Sequence, residues 1–152
     1  MSAFKDYAAY YDLLYAERDC AGEVAFVLDR LRAFAPAAQE LLELGCGTGA
    51  HAFGLARAGL TVDGIDLSED MLRVAEARRA ALPAEQAARL SFAQGDLCQF
   101  ERGRPYDAIV SLFHVMSYVT EEAAILAHTN AIRKRQADMA NQFGQNTANL
   151  FK

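Results

Sequence analysis

The stretch Leu41-Leu42-Glu43-Leu44-Gly45-Cys46-Gly47-Thr48-Gly49 runs a short apolar segment straight into a turn with glycine at every second position. Glycine has no Cβ, so such a turn can take positive φ and lie close against a bound molecule. Three alternating glycines also cost more backbone entropy than a bare strand-to-helix connection requires, which points to a ligand at the turn. A helix opening after Gly49 would aim its unpaired N–H groups at the same place. The segment therefore demands an α/β architecture with a binding site at the carboxyl end of its first strand.

A second strand-like run, Leu60 to Ile65, ends in Asp66, whose carboxylate can accept both hydroxyls of a ribose. Strand, glycine turn, helix, strand and acid, in that order, form the logic of nucleoside recognition. Two cofactor classes fit. Gly45, Gly47 and Ala50 meet the spacing of a dinucleotide turn, so an NAD-dependent oxidoreductase is one reading. Three features favour S-adenosyl-L-methionine instead. Glu43 stands two residues before Gly45, and the third glycine, Gly49, suits close approach of an amino-acid tail rather than a pyrophosphate. After Asp66, Ser68 is a good helix cap, Glu69 and Asp70 fall in the first turn, and Met71 faces back toward the pocket. A third strand, Leu90 to Gln94, then leads to Asp96 and Leu97, which can offer a carboxylate and a backbone N–H to an adenine ring.

With these strings in place, residues 1 to about 120 resemble a class I S-adenosylmethionine-dependent methyltransferase. The resemblance rests on Leu-Glu-Leu-Gly-Cys-Gly-Thr-Gly (42–49), Gly-Ile-Asp-Leu-Ser-Glu-Asp-Met-Leu (64–72), Gln-Gly-Asp-Leu (94–97) and Tyr-Asp-Ala-Ile-Val-Ser-Leu-Phe-His-Val-Met-Ser-Tyr (106–118). The opening residues Tyr7 to Tyr15 further resemble small-molecule methyltransferases, including those that dimethylate the amine of nucleotide-linked amino sugars. The resemblance implies a Rossmann-like open parallel sheet and a small-molecule acceptor. It also implies that Met71 and Leu97 touch adenine, and that Tyr11, His114 and Tyr118 line the acceptor side. No catalytic base is required by it, because methyl transfer from a sulfonium needs mainly an aligned, neutral nucleophile.

Periodicity organises the rest. Val24, Val27, Leu28, Leu31 and Phe34 recur at helical spacing until Pro36, so residues 1–36 read as N-terminal helices covering the cofactor site. Residues 37–120 read as the α/β core, with strands at 41–44, 60–65, 90–94 and 108–112 and helices at 50–58, 69–80 and 84–89. Right-handed crossovers then predict the strand order 3-2-1-4, with helices on both faces. Residues 121–152 form an atypical tail that holds all four asparagines and carries a net charge of +1, against −6 for the first 120 residues. Nothing after Tyr118 supplies the later strands of a seven-stranded class I sheet, so strand four is expected to be an apolar edge, in a fragment, in a monomer whose tail helix covers it, or in an assembly where it pairs with a partner, including a second copy. A non-catalytic cofactor-binding or assembly module is therefore the rival to an enzyme.

Composition narrows the partners. Of 152 residues, 53% are hydrophobic, enough for a core, and the net charge of −5 argues against a nucleic-acid binder. Cys20, Cys46 and Cys98 form no Cys-x-x-Cys pair, and His51, His114 and His128 have no metal-ligand spacing. No run of about 18 apolar residues suggests a membrane span, and the N-terminus lacks a signal-peptide layout, so a reducing cytoplasm is expected. Cys46, at a helix N-terminus, reads as a small space-filling residue whose alternative is a thiol of lowered pKa.

Overall fold

The computed structural model describes residues 10, 19–96, 104 and 106–112. Within them the chain forms α1 (Cys20–Phe34), β1 (Glu40–Leu44), α2 (Ala50–Arg57), β2 (Thr61–Asp66), α3 (Glu69–Ala80), α4 (Ala84–Ala87), β3 (Leu90–Gln94) and β4 (Ala108–Ser111). The four strands make one parallel sheet in the order β3-β2-β1-β4, as the crossover rule requires.

Local chemistry sets the element ends. Asp19 opens α1 by accepting the Gly22 N–H at 2.8 Å, and Ser68 opens α3 by accepting the Met71 N–H at 3.3 Å. Gly59, at φ 99°, ends the α2 turn in a left-handed conformation that a side chain would resist. Pro83 precedes α4 and keeps it separate from α3; α4 stops at Ala87, short of the 84–89 expected. β2 runs one residue later than the hydrophobic pattern suggested, which makes Asp66 its last residue.

Strand residues alternate between two faces. Leu41, Val62 and Leu90 pack under α1 and α2 with Val24, Val27, Phe53 and Leu55; Leu42, Leu44 and Ile65 pack on the opposite face with Tyr106. β1 is buried on both sides, as a central strand of a parallel sheet must be. Gly54 lets α1 and α2 touch closely, for a Cβ there would lie 2.7 Å from Val24. Phe34 departs from the expected core stripe. It is 80% exposed at the last turn of α1, where the guanidinium of Arg30 sits 5.9 Å from its ring.

The second face carries a polar clasp. Asp63 in β2 accepts the Tyr106 hydroxyl at 2.6 Å and the Arg104 Nε at 3.1 Å, and Arg104 also reaches Glu40 of β1 at 3.0 Å. Burial, and then the bond to Asp63, push the Tyr106 hydroxyl up to about 12. β4 pairs with β1 and, among the described residues, with no further strand. The first N-terminal helix expected before residue 19 and the 121–152 tail lie outside the described residues. Among those described, no helix is long and apolar enough to cross a membrane.

Gly64 tests the packing beneath the turn. A Cβ there would fall 2.8 Å from the Cys46 Sγ and 2.8 Å from the Phe92 ring. Gly64→Ala is expected to destabilise the fold by about 1–3 kcal/mol, the range for overpacking, read as a lower urea midpoint at unchanged m-value. An unchanged midpoint would mean that this contact relaxes freely.

Candidate functional site

The turn between β1 and α2 is a knot of main-chain bonds. Gly45 and Cys46 both donate to the Ile65 carbonyl, at 2.8 and 3.0 Å, and Gly49 donates back to Cys46 at 2.9 Å. Gly45, Gly47 and Gly49 have φ of 73°, 55° and 84°, so all three use the left-handed region. Their surroundings differ. A Cβ on Gly49 would come within 2.9 Å of Phe53 and 3.0 Å of Phe92, whereas one on Gly47 would meet nothing within 4 Å. Gly49 is thus required by packing, and Gly47 faces open space of the kind a ligand would fill.

Asp66 holds this turn from the neighbouring strand. Its Oδ2 accepts the Gly47 N–H at 2.8 Å and its Oδ1 accepts the Ser68 N–H at 2.9 Å, so one half-buried carboxylate fixes both the glycine turn and the entry to α3. Gly95 donates to the Asp66 carbonyl at 3.0 Å, which brings the end of β3, and with it the exposed Asp96, to the same edge of the sheet. Met71 is buried in the first turn of α3. From α3, Arg78 reaches back to the Thr48 carbonyl in the turn at 3.3 Å.

Glu43 lies beneath the turn and is 1% exposed. Gly49 has no side chain with which to cap α2, and the Glu43 carboxyl lies close to the Ala52 N–H in that helix's first turn, a favourable position for an acid. Burial raises the Glu43 carboxyl above its ordinary value, against the opposing pull of His51. His51 itself, buried in α2, lies 2.6 Å from Glu23 of α1 and 3.4 Å from Glu43. Burial above all pushes the Cys46 thiol far upward. That excludes the lowered-pKa alternative and leaves Cys46 a packing residue against Gly64.

The structure therefore brings Glu43, Gly45, Gly47, Gly49, Asp66, Met71 and Asp96 to the carboxyl edge of β1–β3. Leu97, Tyr11, His114 and Tyr118 lie outside the described residues. A separate cleft of about 490 Å³ opens between the start of α1 and the end of β4, bordered by Asp19, Glu23, Phe26 and Leu112. No group of three metal-ligating side chains occurs among the described residues. Sequence reasoning missed the Glu23–His51–Glu43 contact. A histidine two residues into the helix and an acid two residues before the turn were visible, but the third member comes from a helix whose docking only the fold reveals.

A parallel sheet in the order 3-2-1-4, with a left-handed glycine turn after β1 and an acid ending β2, is the class I methyltransferase fold. The chain belongs to the family described as methyltransferase domain, which matches residues 41–136. It is 38% identical over 121 residues to the dTDP-3-amino-3,4,6-trideoxy-alpha-D-glucopyranose N,N-dimethyltransferase of Streptomyces venezuelae, covering 77% of this chain and 48% of that one. Among solved structures, Streptomyces venezuelae DesVI superimposes with a TM-score of 0.74 at 31% identity, over 85% of this chain and 52% of that one. A SAM-bound amino pentose methyltransferase from Micromonospora echinaspora gives 0.71 at 33% identity, over 82% and 50%. The chain spans about half the length of the curated relatives it matches.

The raised Glu43 carboxyl has a consequence for stability. A carboxyl that holds its proton more tightly when folded than when unfolded makes stability fall as pH rises from the unfolded value through the folded one. Thermal scans across that window should show this decline in the wild-type chain and a flatter profile in Glu43→Gln, which has no proton to lose. Equal slopes would assign the decline to another group.

Proposed function

We propose that this chain binds S-adenosyl-L-methionine at the glycine turn and carries the cofactor half of a methyltransferase acting on a small-molecule amine. The observation that carries the reading is the pairing of a glycine turn open at Gly47 with the Asp66 carboxylate that holds it. Gly45, Gly47 and Gly49 admit the amino-acid and ribose portions to the backbone, Asp66 takes the ribose hydroxyls, and Met71, Asp96 and Leu97 frame the adenine. Glu43 lies below the amino-acid end. The bound cofactor supplies an electrophilic methyl group on a sulfonium. What the chain contributes is alignment and the exclusion of water, with Tyr11, His114 and Tyr118 assigned to the acceptor side.

The acceptor class is drawn from the relatives, which are named as N,N-dimethyltransferases of amino sugars linked to dTDP. A cytoplasmic site of action fits such a substrate. The second reading, a cofactor-binding or assembly module without turnover, is favoured by one observation: β4 forms the outer strand of the sheet among the described residues. The open edge would then pair with a second copy.

Calorimetric titration with S-adenosylmethionine and, separately, with NAD tests the cofactor. Binding of the first alone is expected, and Asp66→Ala should weaken it by about tenfold or more, since a lost hydrogen bond to a charged group costs roughly 1.5–3 kcal/mol. Binding of NAD alone would replace this reading with an oxidoreductase. For the isolated chain, cofactor binding should exceed turnover: methylation of a dTDP-amino sugar is expected to be slow or absent. Robust multiple turnover would show that this chain completes its own acceptor pocket.

A further inference from the structure

His51 is the buried titratable group that the glycine-turn reading leaves unused. Both of its ring nitrogens face carboxylates, Nε2 at 2.6 Å from Glu23 Oε2 on α1 and Nδ1 at 3.4 Å from Glu43 Oε1 on β1. An ionised carboxylate only accepts hydrogen bonds, and a neutral imidazole has a single N–H. The 2.6 Å contact is a hydrogen bond and the 3.4 Å contact a close approach of ring nitrogen to carboxyl oxygen, so bonding the ring to both carboxyls takes two protons among three groups. Either an imidazolium lies between two carboxylates, or a neutral ring donates to Glu23 and accepts from a protonated Glu43. The two forms have the same total charge and differ only in the place of one proton along the Oε1···Nδ1 line.

The surroundings choose between them. Oε2 of Glu43 is buried with no hydrogen-bond partner. An anion left in that condition bears a large desolvation cost, and a carboxylic acid a much smaller one. The negative charge of Asp66, from the end of β2, works in the same direction. Cys46, also beside Glu43, is held protonated by burial and adds no charge. Arg78, the cation that α3 brings to the turn, is spent on the Thr48 carbonyl. Only a donor at Oε2 would tip the balance toward the carboxylate.

We propose that His51 is a positioning residue for cofactor loading, which takes the Glu43 proton onto Nδ1 when a cationic group reaches the buried carboxyl. The inference rests on the reading that the glycine turn binds S-adenosylmethionine, whose amino-acid end carries an ammonium group. The Oε1–H bond of Glu43 breaks, an Nδ1–H bond forms on His51, and no proton leaves the protein. The imidazolium so formed is held by Glu23, whose short contact is of the charge-assisted kind. Glu43 becomes an anion only when there is a cation to meet, and the glycine turn is spared an unpaired buried charge at other times.

Proton counting separates this role from a merely structural one. Wild-type chain titrated with S-adenosylmethionine in mildly acidic solution should give the same heat in phosphate and in Bis-Tris, two buffers of different ionisation enthalpy, because loading exchanges no proton with solvent. In His51→Gln, the Glu43 proton must leave. The heat should then track the ionisation enthalpy of the buffer, and affinity should fall about tenfold per unit of falling pH. A uniform loss of affinity in His51→Gln, independent of buffer and pH, would overturn the proposal and leave the binding site standing; no binding by wild-type chain would overturn both. Should His51→Gln fail to fold, the wild-type chain decides by infrared difference spectroscopy. The protonated carboxyl band of Glu43, assigned by its absence in Glu43→Gln, should disappear on adding S-adenosylmethionine, and its persistence would overturn the proposal.

Discussion

The Asp66 carboxylate is the contact on which the functional edge depends. Three alternating glycines in left-handed backbone would sample many conformations unless something held them. Asp66 does so by accepting one N–H from the turn and one from the entry to α3. Hydrogen bonds from Gly45 and Cys46 to Ile65 tie the same turn to the same strand. The result is a turn held in one backbone conformation by the strand beside it.

The same economy extends beneath the turn. α2 begins at a glycine that cannot cap it, and the strand below brings the Glu43 carboxyl close to its first turn. A carboxyl placed there must be buried, and burial makes its charge expensive. His51 and Glu23 answer that cost with a hydrogen-bonded chain that crosses from β1 through α2 to α1. The N-terminal helix is therefore joined to the glycine turn by chemistry as well as by the Val24–Gly54 contact.

Much of this was legible in the order of residues. The Ser68 cap and the Pro83 stop bracket α3, and its observed span is the expected 69–80. The strand order 3-2-1-4 matches the expectation of right-handed crossovers in a Rossmann-like sheet. What escaped notice was tertiary. Phe34 looked like core because it continues a helical stripe, but it sits on the last turn of α1 with Arg30 over its ring. Glu23 and His51 are 28 residues apart, and Asp63 and Tyr106 are 43 apart. Each pair joins side chains whose polar types are unremarkable until the sheet and helices bring them together. Tyr11, His114 and Tyr118, to which the reading gives the acceptor side, lie outside the described residues.

The clasp of Asp63, Arg104 and Tyr106 also bears on the order in which the sheet can assemble. Arg104 meets Glu40 across 64 residues, and closing so long a loop costs chain entropy before any contact repays it. Its partners lie on β1 and β2, whose own pairing spans a shorter separation. We therefore expect β4 to dock on a sheet already formed. Substitutions at Arg104 or Tyr106 would then speed unfolding and leave the folding rate nearly unchanged, a φ-value near zero; values near one would place the clasp in the nucleus instead.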